Sequence, residues 1–264
     1  MRDLSDGNGA TGAIYGVLRD LVGLMEKFQT LKCVFCFDGG REEREKIYPE
    51  YKSNRKRMLD MTDEEKEFRE DLHKQLTKLR QIELLKIGFR NVFWQQGFEA
   101  DDLIASVCKD KKQDFIVVSS DQDMFQLLSK HVEIYNPMSK KFITKSSFTD
   151  KYGVKPKEWA TVKAIAGCSS DGVPGVSGVG EKTAIKFMNG DLKQTTKAFV
   201  SIANSTDLIE RNLKLVKLPL PETLSFKLYN DKVTGSRWDV GMSRMEMNSL
   251  MKKYPIHLNR KGLV

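Results

Sequence analysis

Residues 97–106 read GFEADDLIAS, which puts Glu99, Asp101 and Asp102 within four positions, directly before an apolar run of helical spacing. Two further acidic groups stand in comparable places. Asp38 ends the run KCVFCF, and Asp121 and Asp123 follow FIVVSS. Each of the three groups follows a stretch that reads as a buried strand, and open parallel sheets carry their functional groups at the carboxyl ends of strands. Acids gathered on one rim repel unless cations neutralise them. Hard oxygen donors suit Mg²⁺ or Mn²⁺. Two such ions a few ångströms apart serve in-line attack on a phosphodiester. Singly, each group has a plainer use: a helix N-terminus favours acids, and D-Q-D or D-G-G also suits a turn.

The elements that must position these acids alternate. ATGAIYGVLRDLVGLMEKFQ (10–29) has apolar residues at helical spacing, and LKCVFCFDGG reads as a buried strand. Thr62 and Glu65 form a capping-box pattern that opens a long helix to about Leu85. NVFWQ is strand-like, EADDLIASVCKD helical, DFIVVSS a strand and DQDMFQLLSK a short helix; HVEIYN and KFITK read as a last pair of strands. This alternation predicts an α/β unit with a mostly parallel sheet. From about residue 156 helices and glycine-rich turns take over. The expected division is a core at 1–150, interrupted at about 41–85 by a stretch that opens with the charged run REEREKIYPEYKSNRKR, and a helical subdomain at 151–264.

The chain has 264 residues, 40% apolar and 30% charged, with a net charge of +8. The balance is that of an ordinary globular protein, and the basic excess points toward a polyanion such as nucleic acid. Cys33 and Cys36 sit C-x-x-C on a strand, where residues three apart face opposite ways. They are expected to be free thiols in a reducing cytosol. No run reaches the roughly 18 apolar residues of a membrane span, and the polar N-terminus is unlike a signal peptide. A cytosolic protein away from membranes is the expectation.

Residues 167–184, GCSSDGVPGVSGVGEKTA, place Gly178 and Gly180 between two helical segments. This pattern reads as a helix–hairpin–helix, whose backbone N–H groups can hold a phosphate without reading bases. Lys182 stands just beyond the hairpin.

The series FDGG, YPEYKSNR, EADDLIA, VVSSDQDMFQL and GCSSDGVPGVSGVGEKTA resembles the 5′-nuclease family. That family includes bacteriophage 5′ nucleases, flap endonucleases and the 5′→3′ exonuclease domain of bacterial DNA polymerase I. The resemblance covers most of the chain in order. It implies a PIN-like α/β core followed by a helix–hairpin–helix (H3TH-type) subdomain that grips duplex DNA, often around a monovalent cation, K⁺. It also implies a divalent-metal 5′→3′ exonuclease or flap endonuclease acting on branched or nicked duplexes, with RNA–DNA hybrids as a second substrate. Carried over, Asp38, Glu99, Asp101, Asp102, Asp121, Asp123 and Asp171 match family metal-site acids. Lys52 and Arg55 match basic residues at the scissile phosphate. Arg41, Lys56 and Arg57 in the basic arch that the resemblance implies at about 41–85, and Gly175, Gly178, Gly180, Lys182 and Thr183 at the hairpin, are the expected DNA contacts.

Two departures from the family pattern stand out. The family's N-terminal strand, with its own metal-binding aspartate, precedes what GNGATGAIYGVL resembles. This chain is therefore expected to begin about one strand and one loop late, and either to be completed by a separately encoded N-terminal piece or to be limited by a misplaced start codon. Cys168 also stands where the family usually has an acid, three residues before Asp171. A thiolate suits Mg²⁺ poorly, which shifts the expected preference toward Mn²⁺. A structure-specific DNA-binding protein of the same fold, impaired in catalysis, is the alternative.

Overall fold

The computed structural model describes residues 5–6, 9–53, 55, 60–255 and 257–258. Lys56 and Arg57 lie outside the described residues. An antiparallel pair, β1 (Ser5–Asp6) and β2 (Gly9–Ala10), leads into α1 (Gly12–Phe28), β3 (Phe35–Phe37) and α2 (Glu42–Ile47). Helix α3 (Asp63–Lys78) continues through a π-helical turn (Leu79–Glu83) into α4 (Leu84–Ile87). Strand β4 (Val92–Trp94), helix α5 (Ala100–Val107), strand β5 (Phe115–Val118) and a 3₁₀ turn (Gln122–Leu127) follow. Then come β6 (Val132–Asn136), β7 (Lys141–Ile143), α6 (Lys145–Tyr152) and α7 (Trp159–Ala166). The short pair β8 (Gly167–Cys168) and β9 (Val173–Pro174) precedes α8 (Glu181–Met188). Helices α9 (Lys197–Ala203), α10 (Thr206–Val216) and α11 (Gly235–Arg244) complete the chain.

The chain forms two compact units. One comprises Met1–Phe37, Arg57–Phe93 and Lys227–Val264. Its core is the stripe Ile14, Leu18, Leu21 and Met25 of α1, packed with Leu79, Leu84, Ile87, Trp238 and Met242. The three- and four-residue spacing of the stripe puts it on one helix face. The capping box that opens α3 is present: Thr62 accepts from Glu65 N at 3.2 Å, and Glu65 accepts from Thr62 N at 2.8 Å. Strand β3 pairs with β4, and Phe35 meets Phe89 edge-on at 5.0 Å.

The other unit, Asp38–Lys56 with Trp94–Phe226, holds every described acid of the predicted rim. Here β5 pairs in parallel with β6, Val117 opposite Ile134, and β7 adds antiparallel to β6. The core gathers Val117, Phe125, Ile134, Phe148, Trp159 and Val162. Rings of Phe125, Phe148 and Tyr152 lie 4.8–5.6 Å from Trp159. The expected division near residue 150 thus falls inside one aromatic cluster. The strands expected in a single sheet pair in separate groups, β3 with β4 and β5 with β6 and β7. All four cysteines are free thiols, and Cys168 is the buried one. Among the described residues, no helix is long and apolar enough to cross a membrane.

Candidate active site

The rim is built where the segment after β3 meets the loop before α5. Gly39 N donates to Phe98 O at 2.8 Å, and Gly97 N donates to Gly39 O at 2.7 Å. A Cβ on Gly39 would lie 1.8 Å from Gln95 O, so only glycine permits this approach. The contact carries Asp38 to the start of α5, where its Oδ1 accepts from Ala100 N at 2.8 Å. Asp121, after β5, caps the 3₁₀ turn by accepting from Asp123 N at 2.8 Å.

Asp101 lies in the first turn of α5. Burial, followed by the charges of Asp121, Glu99 and Asp38, pushes its carboxyl up to about 7, against the opposing pull of Lys52. Acids that offer oxygen alone and repel one another fit a hard divalent cation. Glu99 differs. Burial works against its charge, yet Lys52, Arg44 and the Tyr51 hydroxyl hold its carboxyl below the ordinary range. The Tyr51 hydroxyl donates to Glu99 Oε2 at 2.8 Å, and Lys52 Nζ donates to Oε1.

Lys52 is buried and left-handed, with φ 54°, a conformation unusual for a non-glycine residue. Its backbone N donates to Asp171 O at 2.7 Å, and its Nζ lies 3.6 Å from Asp171 Oδ1. Arg55 Nη2 lies 3.2 Å from the same oxygen, with its side chain half exposed. Arg41 faces inward, toward Lys52 O at 3.4 Å and Glu45 at 2.8 Å. That geometry braces the loop carrying Lys52.

A second group lies beside the first. One donor atom each from Asp123, Cys168 and Asp171 fall within 4.8 Å of one another. Burial pushes Asp123 up to about 6; Lys163, with Nζ 3.6 Å from its Oδ1, opposes that, and Asp121 and Asp171 add to it. Lys163 was missed from the sequence, although a lone cation in the apolar helix WATVKAIA is a legible signal.

Asp102 does not join the rim. Its side chain is fully buried, one helical step from Asp101, and Arg44 Nη2 donates to its Oδ1 at 2.9 Å. Leu220 N donates to the same oxygen at 2.8 Å, and Arg44 Nε donates to Leu215 O at 2.9 Å. Arg44 Nη1 donates to Oδ2, so both carboxylate oxygens are taken by protein donors, and the structure places Asp102 in a buried ion pair with Arg44 and not with the expected metal ligands. Arg44 sits in the charged run REEREK, where nothing in the sequence marks it as buried.

The predicted hairpin lies between α7 and α8. Gly178 is left-handed, φ 72°, and a Cβ there or on Gly180 would meet nothing within 4 Å. Gly180 precedes α8, with Thr183 N bonded to its carbonyl at 3.0 Å, and Lys182 is exposed. Gly175 has a packing reason to be glycine: its Cβ would come 2.2 Å from Ala166 O.

Comparison with known proteins agrees with this architecture. A 5′-3′ exonuclease from Aquifex aeolicus is 33% identical over 260 residues, covering 92% of this chain and 85% of the relative. One from Buchnera aphidicola of Acyrthosiphon pisum is 30% identical over 248 residues, covering 92% and 82%. The fold matches a bacteriophage T5 protein crystallised with metal ions, with TM-score 0.70 and 23% identity over 90% of this chain and 91% of that one. It also matches the T5 5′-exonuclease with bound zinc, with TM-score 0.68 and 22% identity over the same shares. The model of the 5′-3′ exonuclease N-terminal resolvase-like domain matches residues 2–153, and with that match this chain belongs to the 5′-3′ exonuclease family.

Proposed function

We propose that this chain is a divalent-metal-dependent 5′→3′ exonuclease and flap endonuclease that hydrolyses phosphodiesters at the 5′ ends of branched or nicked duplex DNA. RNA in RNA–DNA hybrids is the proposed second substrate. The observation that carries the reading is the half-buried Asp101 carboxyl, pushed up by burial and by the charges of Asp121, Glu99 and Asp38, with Lys52 paired to Glu99 and Arg55 to Asp171. Asp38, Glu99, Asp101 and Asp121 would hold one Mg²⁺ or Mn²⁺; Asp123 and Asp171, beside Cys168, would hold the other. The cations, when bound, supply Lewis acidity for phosphodiester hydrolysis.

The protein's own groups do the rest. Lys52 and Arg55 now neutralise Glu99 and Asp171. In the proposed reading both side chains would hold the scissile phosphate, with Glu99 and Asp171 among the residues that would hold the cations. Tyr51 keeps Glu99 oriented through its hydroxyl. The open space at Gly178 and Gly180 lets a phosphate approach the backbone N–H groups, with Lys182 alongside and K⁺ as the monovalent ion of the hairpin. The proposed setting is the bacterial or phage-infected cytoplasm, with the chain a monomer.

The test is cleavage of a 5′-labelled flap with Mg²⁺ and with Mn²⁺, paired with binding in Ca²⁺. Affinity is expected to fall with salt, with a log–log slope of roughly −0.9 per neutralised phosphate. Lys182→Ala should weaken binding equally for all sequences and make that slope shallower by about one such step. Tight flap binding with no cleavage under either metal would instead select the second reading, a DNA-binding protein impaired in catalysis. Cys168 in the second acid group favours that reading.

We also propose that a further strand ending in an aspartate adds to β5. Strand β5 lies at one edge of its sheet, and Ile116 and Val118 are each 40% exposed there. An unpaired apolar edge is a template for another strand. Such a peptide should slow amide exchange at Ile116 and Val118 and raise the cleavage rate; unchanged exchange at both residues would end the idea.

A further inference from the structure

The two acid groups differ in their donors. The group around Asp101 offers oxygen alone, whereas Asp123, Cys168 and Asp171 offer two carboxylates and a sulfur within 4.8 Å of one another. The sulfur is not a bystander at the surface. Cys168 is 6% exposed, and its Sγ lies 3.1 Å from Ser170 Oγ and 3.5 Å from Asp171 Oδ2. The triad opens onto a cavity of about 370 Å³ that Lys163 also lines.

We propose that this second position is a thiolate metal site, which takes borderline-soft divalent ions of the zinc and cadmium class in preference to Mg²⁺, with Cys168 as the selecting ligand. The inference rests on reading the rim as a metal site. A hard cation here finds two carboxylates, both already shared with protein cations, Asp123 with Lys163 at 3.6 Å and Asp171 with Arg55 at 3.2 Å, and a sulfur for which it has little affinity. A softer ion gains a strong bond to that sulfur. On binding, the Cys168 S–H bond breaks, its electron pair forms the sulfur–metal bond, and the proton passes to buffer; no oxidant or reductant is involved. The two positions of one rim would then differ in metal preference, oxygen-loving at Asp101 and sulfur-tolerant at Cys168. Excess zinc would fill the second position and displace the ion that cleavage uses.

The test is titration of the reduced, metal-free chain with Cd²⁺, followed by thiolate-to-metal absorption in the ultraviolet. The wild-type chain should give a saturable band with one equivalent of proton released. Cys168→Ser should lose this band while keeping Cys33, Cys36 and Cys108, and Cd²⁺ affinity should fall by roughly 10–100-fold. Cys168→Asp should also lose the band but bind Mn²⁺ and Mg²⁺ more tightly than wild type, which separates loss of a ligand from loss of fold. A band of undiminished size in Cys168→Ser, or no gain of Mg²⁺ binding in Cys168→Asp, would overturn the assignment. Flap cleavage is read separately. A chain that shows the band and cuts no flap keeps the thiolate site and loses the nuclease reading, and one that cuts without the band does the reverse.

Discussion

Asp101→Asn is expected to lower flap cleavage by on the order of 10³-fold and yet to make the metal-free protein more stable. Both effects come from the same crowding. Burial, Asp121, Glu99 and Asp38 together move the Asp101 carboxyl from 3.8 to about 7. For its charged form that is roughly 4 kcal/mol of unfavourable interaction at most. The opposing benefit of an acid in the first turn of α5 is about 0.3–1 kcal/mol, which burial and repulsion together outweigh. Asparagine keeps the shape and removes the charge. Each 1 kcal/mol relieved should raise the melting temperature by about 2–4 °C for a chain of this size. Mn²⁺ should reverse the order, stabilising wild type through a ligand set that the variant lacks. Scanning calorimetry with EDTA and then with Mn²⁺, beside flap cleavage, checks the result. A variant less stable than wild type in EDTA would show that Asp101 is held by unrecognised partners, and a variant that still cleaves at wild-type rate would remove it from the metal site.

How far the site was legible follows from the range of the interactions. The spacing of acids after apolar strands is legible because each cluster is local, and the Gly39 and Gly97 contacts that join two of them lie next to Asp38 and Glu99. The Thr62 capping box is equally local and was legible for that reason. Asp101 and Asp102 mark the limit. They are neighbours with identical chemistry, and one helical step turns the first to the rim and the second to Arg44, 58 positions earlier in the chain. No periodicity could separate them, because the partner's run REEREK carries no apolar signal. The second acid group was half legible. Asp171 and Cys168 stood out within a glycine-rich motif, whereas Lys163 was passed over as one charge on an apolar helix. Strand pairing and the aromatic cluster across residue 150 depend on contacts between distant segments, which composition shifts do not report.

Arg44→Met is expected to destabilise the protein by about 3–5 kcal/mol, because it leaves the Asp102 carboxylate buried without its counter-charge. The pair is built into its surroundings: Arg44 also donates to Leu215 O at 2.9 Å and lies 3.3 Å from Glu99, and Asp102 also accepts from Leu220 N at 2.8 Å. Burial opposes the guanidinium charge, but its bonds to Asp102 keep the arginine firmly protonated. Asp102→Asn should cost less, since the amide oxygen can still accept from Leu220 N while Arg44 loses one charged partner and retains Glu99. Arg44→Met with Asp102→Leu should recover much of the loss, as apolar replacements of buried pairs often do. Denaturant unfolding of the three variants measures this order. It also separates the two neighbouring acids. If Asp102 is structural, Asp102→Asn loses activity only in step with unfolding, and the folded fraction binds Mn²⁺ as wild type does. If Asp102→Asn instead folds normally and loses Mn²⁺ affinity as Asp101→Asn is expected to, then Asp102 is a ligand, and the Arg44 pair is displaced when a cation binds.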